Sequence, residues 1–344
     1  MSPLTLTLLI TSLTTSTIIT MASNHWLLAW LGLELNTLSI LPIIMKPGHP
    51  RATEATTKYF LVQVTAAALI LCATTLNVWQ TGQWSIMLTP TPTTTTLLLM
   101  AIALKLGLAP MHLWYPDIMQ GSTMSTALII STWQKIAPMT LLLLLHNHLN
   151  TTTMTLFGLT SVFLGGWAGL NQTQTRKIMA FSSISHMGWL TVALALSPKL
   201  AILTMILYMT MTATLFFSLT TTTTKTMLDM GTAWPHSPTL MTTTMLALMS
   251  LGGLPPLTGF MPKWLILKEL VSSPLISTLM LLASLPSLFF YTRLAYLTIL
   301  TTPPTTTTTK YKWRLKTMLK PNTMLATPTT LLLLPLTPLL YWTT

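Results

Sequence analysis

Two lysines, Lys105 and Lys135, each sit inside an otherwise uncharged apolar run, and a helix breaker, LGLAP at 106–110, lies between them. At ~1.5 Å per residue, Lys105 falls roughly 16 Å along a segment beginning near Thr94, and Lys135 is about as deep in one beginning near Met124. Both therefore lie near the middle of a hydrocarbon layer of ~30 Å. A lysine at that depth costs at least about 2.5–3.5 kcal/mol on insertion scales. Two such costs within residues 102–138 point to charge that serves a function inside a membrane.

The rest of the chain agrees with that setting. Only 6% of its 344 residues are charged and 51% are hydrophobic, whereas soluble domains average about 25% charged residues. Repeated apolar runs of about 20 residues make it an all-α polytopic membrane protein. A formal charge of +12 invites a nucleic-acid reading, but that needs a clustered basic face, and these cations are scattered, so no nucleic-acid partner is expected. Cys72 stands alone, which excludes an internal disulfide and an iron–sulfur cluster with several cysteine ligands. No CxxCH, GxGxxG or P-loop word occurs, and no carboxylate cluster suits Mg²⁺ or Ca²⁺. No cofactor is therefore expected in this chain. A first span without a basic leader or cleavage site argues against a signal peptide.

Apolar runs between polar punctuation give eleven expected spans, near 3–21, 26–45, 59–79, 94–111, 123–145, 152–170, 178–196, 201–220, 238–268, 275–299 and 323–343. The ninth is too long for one straight helix and contains LGGLPPLTG, which reads as two half-helices around an unwound middle. With this count, eleven cations fall in loops on the N-terminal side and only Lys199 in the opposite loops. The positive-inside rule then places the N-terminus on the cytoplasm-like side, and an odd number of spans places the C-terminus opposite. We expect one transmembrane domain over 1–344, with a first broken-helix half at about 26–196 and a second at about 200–299. A basic loop and last helix follow at 300–343, the loop suited to anionic lipid headgroups or a partner.

LGLAP at 106–110 and LGGLP at 251–255 form an internal repeat, each with a lysine close by: Lys105 before the first, Lys263 after the second. Paired Gly/Pro interruptions in two halves of a chain point to a transporter site, and broken backbone at that depth must be buried in protein or line a hydrated cavity. Glu34 lies roughly 12 Å into its span. A buried carboxylate and lysine that pair can hold each other charged, and moving a proton or separating them switches the pair, as a proton relay requires. Glu34, Lys105, Lys135 and Lys263 are thus candidate relay residues, against the plainer readings of structural ion pairs or, for Lys263, a snorkelling chain. His112 and His186 are possible carriers, since imidazole titrates near neutral pH. A lone histidine on a helix is also often a packing residue. His146 and His148 make a weak metal pair. Lys268 with Glu269 reads as an interfacial pair, Asp117 as part of a turn, and Arg293 as snorkelling or meeting a partner.

WLGLELNTLSILP (30–42), KYFLVQ (58–63), LKLGLAPMHLWYPD (104–117), WQKIAP (133–138), RKIMAFSSISHMGW (176–189) and LGGLPPLTGFMPKW (251–264) resemble the NADH dehydrogenase subunit 2 family. These are mitochondrially encoded, antiporter-like membrane subunits of respiratory complex I. The resemblance implies inverted five-helix repeats with one discontinuous helix in each. It implies that Glu34 and Lys105 form the carboxylate–lysine pair, Lys135 is the central relay lysine, Lys263 is the terminal one, and His112 and His186 lie near the connecting axis. It implies a role in proton translocation coupled to NADH:ubiquinone oxidoreduction across the inner mitochondrial membrane, with the N-terminus in the matrix and the C-terminus in the intermembrane space. Flavin, iron–sulfur clusters, NADH and ubiquinone would be handled by other subunits, and the partners would be neighbouring membrane subunits and lipids such as cardiolipin. Similar bacterial subunits carry three further N-terminal helices, and this chain resembles them from the fourth onward. An independent cation/proton antiporter of the same fold and a structural membrane spacer are the competing expectations.

Overall fold

A computed structural model of the protein describes residues 2–86, 91–234, 238–255 and 257–299. Among these residues it is helical, with two isolated antiparallel bridges, His25 to Ser85 and Gln174 to Thr226, and no strand. The chain forms two compact units, Met1–Ser161 and Val162–Thr344, with the boundary inside one helix.

The first unit holds α1 (Pro3–Ala22), α2 (Trp26–Met45), α3 (Pro50–Thr81), α4 (Pro92–Leu106), α5 (Trp114–Gly121), α6 (Met124–Ser131), α7 (Ile136–Leu145) and the start of α8 (Thr151–Gly169). The second holds the rest of α8, then α9 (Thr175–Leu196), α10 (Pro198–Thr222), α11 (Met227–Ala233), α12 (Pro238–Gly252), α13 (Phe260–Glu269) and α14 (Pro274–Thr298). Proline opens α1, α3, α4, α10 and α14, where its missing N–H costs nothing and its φ is already helical. Ser2, His25, His49, Thr123 and Thr226 cap helix N-termini with a side-chain acceptor. Threonines inside helices return their hydroxyls to the preceding turn, as Thr17 does to the Thr14 carbonyl (2.8 Å) and Thr20 to that of Thr17 (2.7 Å). A threonine-rich helix can thus satisfy its own hydroxyls in hydrocarbon.

Among the described residues, seven helices are long and apolar enough to cross a membrane, among them the interrupted Met124–His148. Two more of the expected spans are the broken helices, and α8, rich in threonine and glycine, is not among the seven. The eleventh expected span, at 323–343, and the basic loop before it lie outside the described residues. This is a multi-pass helical membrane protein.

One expectation needs correction. Residues 112–122 are not a loop after a span ending at 111: α5 occupies 114–121 and lies along α3. Tyr115, Ile118 and Met119 are buried, and a Cβ on Gly121 would come within 2.6 Å of both the Arg51 carbonyl oxygen and Ala55 Cβ. The apolar face and the close glycine make the segment helical despite its proline and aspartate. The fourth span is therefore α4, a break, and α5. The span expected at 123–145 is found as one apolar helical stretch, Met124–His148. Its α-helical pattern gives way to a 3₁₀ turn at Trp133–Lys135, because Pro138 offers no N–H to the Gln134 carbonyl and crowds it. Lys135 sits at the end of that turn.

Candidate functional site

In the first unit, α4 ends with Gly107 in the left-handed region (φ +70). The Leu108 N–H reaches back to the Ala103 carbonyl (2.9 Å) and that of Gly107 to Leu104 (3.2 Å), the paired bonds of a Schellman ending. Beyond it, the Ala109 N–H donates to Ser161 Oγ (3.1 Å) and Thr160 Oγ1 donates to the Ala109 carbonyl (3.4 Å). The middle of α8 thus meets the backbone groups that the break frees, as burial requires. Lys105 lies in the last turn of α4, where the carbonyl end of a helix favours a cation. His112 is buried just after the break, hydrogen-bonded to the Pro110 backbone.

Lys105 and Lys135 line one small cavity of about 20 Å³, with Tyr59, Gln63, Trp114 and Tyr115. That is room for roughly one water. Lys105 Nζ has no hydrogen-bond partner on the protein, and Lys135 Nζ sits 5.0 Å from the centre of the Tyr115 ring, an attractive cation–π placement. Glu34 is not within ion-pair distance of Lys105. Its carboxylate accepts from Thr37 Oγ1 (3.2 Å), and its charge acts through space on Lys105 and on Tyr59. Glu34 and Lys105 are thus electrostatic neighbours rather than a contact pair.

Three further residues belong to this site. Gln134 Nε2 donates to Asn36 Oδ1 (3.1 Å), and Tyr59 OH donates to Gln134 Oε1 (3.4 Å). All three side chains are buried, and together they tie α2 and α3 to the turn that carries Lys135. An amide buried in an apolar run, one residue before the lysine, was the available signal.

The second unit repeats the break. Gly253 has φ +80, its N–H bonds the Ser250 carbonyl (3.0 Å), and the Leu254 N–H reaches Met249 (3.4 Å). Gly259 lies against the Ser250 carbonyl with no room for a Cβ. The cation comes from the far side of the break: half-buried Lys263, on α13, donates from Nζ to the Gly252 carbonyl (2.8 Å). On α9, His186 Nε2 is 3.3 Å from the hydroxyl of Tyr291, and the His186 ring is 5.6 Å from that of Tyr208. The Tyr291 ring also lies against Gly252. The two tyrosines were not expected from sequence; their signal is a buried tyrosine well inside a span, away from the interfacial belt where that residue is usual.

The remaining charges have plain roles. Arg293 Nη2 donates to the Gln172 carbonyl (3.1 Å), securing the end of α8. Lys268 Nζ lies 5.9 Å from the Trp264 ring centre, and Asp117, in the first turn of α5, bonds Lys58 at 3.0 Å. Among the described residues no group of three or more His, Cys, Asp or Glu side chains is placed to hold a metal.

Two helical units, each with a glycine-ended broken helix in a corresponding position, mark a transporter-like class of membrane protein. A family model described as NADH:quinone oxidoreductase/Mrp antiporter, transmembrane, matches residues 23–289, and one described as NADH dehydrogenase subunit 2 C-terminus matches 288–341. The chain belongs to the NADH dehydrogenase subunit 2 family. NADH-ubiquinone oxidoreductase chain 2 of Latimeria chalumnae is 51% identical over 340 residues, covering 96% of this chain and 98% of the relative. The protein of that name from Gallus gallus is 51% identical over 331 residues, 96% of each. A chain of respiratory complex I from Thermus thermophilus superposes with a TM-score of 0.87 at 25% identity, over 98% of this chain and 79% of that one. A chain of the Mrp complex from Dietzia sp. DQ12-45-1b shares the fold at TM-score 0.83 and 17% identity, over 97% of this chain and 75% of that one.

Proposed function

We propose that the chain is a core membrane subunit of respiratory complex I, NADH:ubiquinone oxidoreductase, and contributes to proton translocation across the inner mitochondrial membrane. The observation that carries this reading is the small cavity shared by Lys105 and Lys135 beside a glycine-ended break. Two amines around room for about one water can pass a proton by the simplest chemistry: an ammonium N–H breaks as an O–H forms on the water, and another O–H of that water breaks as an N–H forms on the second, neutral amine. Lys105, Lys135 and Lys263 are the proposed relay, Glu34 biases Lys105 through space, and His112 and His186 are proposed carriers along the same path.

Family membership at about 50% identity over nearly the whole chain supports the assignment to complex I. The chain is part of an enzyme in that sense, and NADH, flavin, iron–sulfur clusters and ubiquinone belong to other subunits. Its partners are other membrane subunits of the complex and membrane lipids, cardiolipin included. Its N-terminus faces the matrix and its C-terminus the intermembrane space, by the distribution of cations.

The experiment compares assembled complex carrying Lys105→Ala with wild type in proteoliposomes, following quinone reduction and proton uptake together. The expected result is normal assembly with depressed, uncoupled turnover. Unchanged pumping would favour a structural spacer, and cation/proton exchange by the isolated chain in liposomes would favour an independent antiporter.

A further inference from the structure

One side chain of the second unit reaches from a histidine to the lysine-capped break. Tyr291, on α14, is buried. Its hydroxyl lies 3.3 Å from His186 Nε2 and is also hydrogen-bonded to Ser182. Ser182 and His186 are four residues apart on α9, so both present the same helix face to it. The other end of Tyr291 packs on the break: a Cβ built on Gly252 would be 3.7 Å from Tyr291 Cβ and 3.8 Å from its Cδ2. Gly252 is the residue whose carbonyl accepts from Lys263 Nζ at 2.8 Å.

The hydroxyl has two settings. Ser182 gives its own proton to the Met179 carbonyl (2.7 Å), so towards Tyr291 it serves as an acceptor. The single phenol proton therefore goes either to His186 Nε2 or to Ser182 Oγ. With Nε2 bare, Tyr291 donates to it. With a proton on Nε2, the imidazole N–H donates to the phenol oxygen and the phenol proton turns to Ser182. No covalent bond to hydrogen is made or broken at Tyr291; only the direction of the hydrogen bond reverses. A cationic His186 also draws the oxygen closer, because hydrogen bonds with an ionised partner shorten to about 2.7–2.9 Å. Phe290, whose ring lies against Gly169, holds α14 in place beside this point. The pull is therefore taken up by the Tyr291 side chain and felt at Gly252.

We infer that Tyr291 is a positioning residue that loosens the Lys263–Gly252 bond when a proton rests on His186. The inference rests on the relay reading above and adds a mechanical link between two of its members. A Lys263 ammonium released from the carbonyl is free to give a proton to water, an N–H breaking as an O–H forms. When His186 loses its proton, the phenol turns back to Nε2, the ring settles on Gly252 and the lysine is held again. Arrival of a proton at one group thus prepares the other to let one go.

The test uses assembled complex in proteoliposomes with Tyr291→Phe, His186→Gln, the two combined, Tyr291→Ala and Lys135→Met. Proton uptake per quinone reduced is a ratio, so a lower content of folded complex leaves it unmoved. Tyr291→Phe keeps the ring on Gly252 and should lower that ratio severalfold. His186→Gln should lower it too, and the combined variant should fall no further than the lower single, since both changes remove one signal. Losses that multiply, as a merely structural role of Tyr291 would give, overturn the inference. Amide exchange at Gly253 and Leu254, whose N–H groups bond Ser250 and Met249, reads the break itself. Tyr291→Ala removes the ring and should speed that exchange severalfold; exchange equal to wild type also overturns the inference. If Lys135→Met depresses pumping while Tyr291→Phe matches wild type, the Tyr291 link is wrong and the relay stands. If Lys135→Met pumps normally, the relay itself fails and the link with it.

Discussion

Lys263 Nζ donates to the carbonyl of Gly252 at 2.8 Å, so the second half-helix reaches back across the break and caps the first. The carbonyl end of α12 carries the negative pole of its dipole, and Lys263 places its charge there. Gly253 lies directly beneath the bond: a Cβ built on it would be 2.9 Å from Nζ and 3.0 Å from Cδ of that lysine.

Gly253→Ala should therefore be worse than alanine at the other left-handed glycines. Gly48 and Gly82 also have positive φ, but nothing lies within 4 Å of a Cβ at either. Gly48→Ala and Gly82→Ala should carry only the backbone cost of about 1–2 kcal/mol. Gly253→Ala should carry that cost and displace Lys263 as well. The comparison is of subunit abundance and pumping in assembled complex: all three variants should lower thermal stability, and only Gly253→Ala should also uncouple turnover from proton uptake. Equal coupling in the three would show that the Lys263–Gly252 bond does not matter for function.

Glu34→Gln and Lys105→Ala should combine less than additively in turnover, because the Glu34 charge acts on Lys105. The coupling should be smaller than for a direct ion pair, since the two are not within ion-pair distance and the Glu34 carboxylate is bonded to Thr37. A double-mutant cycle measures it. Strictly additive losses would mean that the two charges do not communicate.

How much of this could be read from sequence depends on how local each cause is. Both breaks were legible because leucine, glycine and proline act within a few residues, and the depth of Lys105 and Lys135 follows from counting. The helix at 114–121 was not, because WYPDIMQG carries turn-forming residues and becomes helical only through its fit against α3. Asn36, Gln134 and Tyr59 lie far apart in the chain, and no periodicity says that their side chains meet. The missing contact between Glu34 and Lys105 is of the same kind: the sequence places two opposite charges at depth, and only the packing of helices decides their distance.

Topology can be checked within the first unit. α3 has 32 residues, roughly 48 Å at the usual rise, more than the ~30 Å of hydrocarbon, so its two ends should lie on opposite faces. A tag inserted between Lys46 and His49 should be reachable only from the matrix, and one at Gly82–Trp84 only from the intermembrane space. Both tags reached from one side would overturn the assignment of α3 as a full crossing.

The turn before α11 gives a test outside the membrane. Burial alone would raise the Asp229 carboxyl, but bonds from the backbone N–H of Thr226 (2.8 Å) and Lys225 (3.0 Å) outweigh it and hold it below the usual carboxylate range. A depressed folded value means stabilisation that is fully present above the unfolded value of about 3.9 and lost as pH falls through the folded one. Amide exchange in Met227–Ala233, corrected for intrinsic rate, should show protection near neutral pH that fades in acid. Asp229→Ala should remove about 1 kcal/mol of it at neutral pH. Protection that is the same in acid and at neutral pH would contradict the cap.

Lys135 offers the sharpest test. Its ammonium lies over the Tyr115 ring at 5.0 Å and on the cavity it shares with Lys105, while Gln134, bonded to Asn36 and Tyr59, fixes the turn beneath it. Lys135→Met keeps the length and apolar stem of the side chain and removes the proton-carrying nitrogen. Removing a charge from hydrocarbon does not destabilise the segment, so the complex should assemble with normal amounts of this subunit, yet proton uptake with quinone reduction should be depressed. Lys135→Arg should impair pumping for a different reason: guanidinium stays protonated, and its planar fork must fit a cavity of about 20 Å³. A site that needed only positive charge would accept arginine and reject methionine. A site that needed neither would accept both, and normal pumping in both variants would remove Lys135 from the relay. Loss in both, with assembly intact, is the outcome that requires a group able to take up and release a proton at this position.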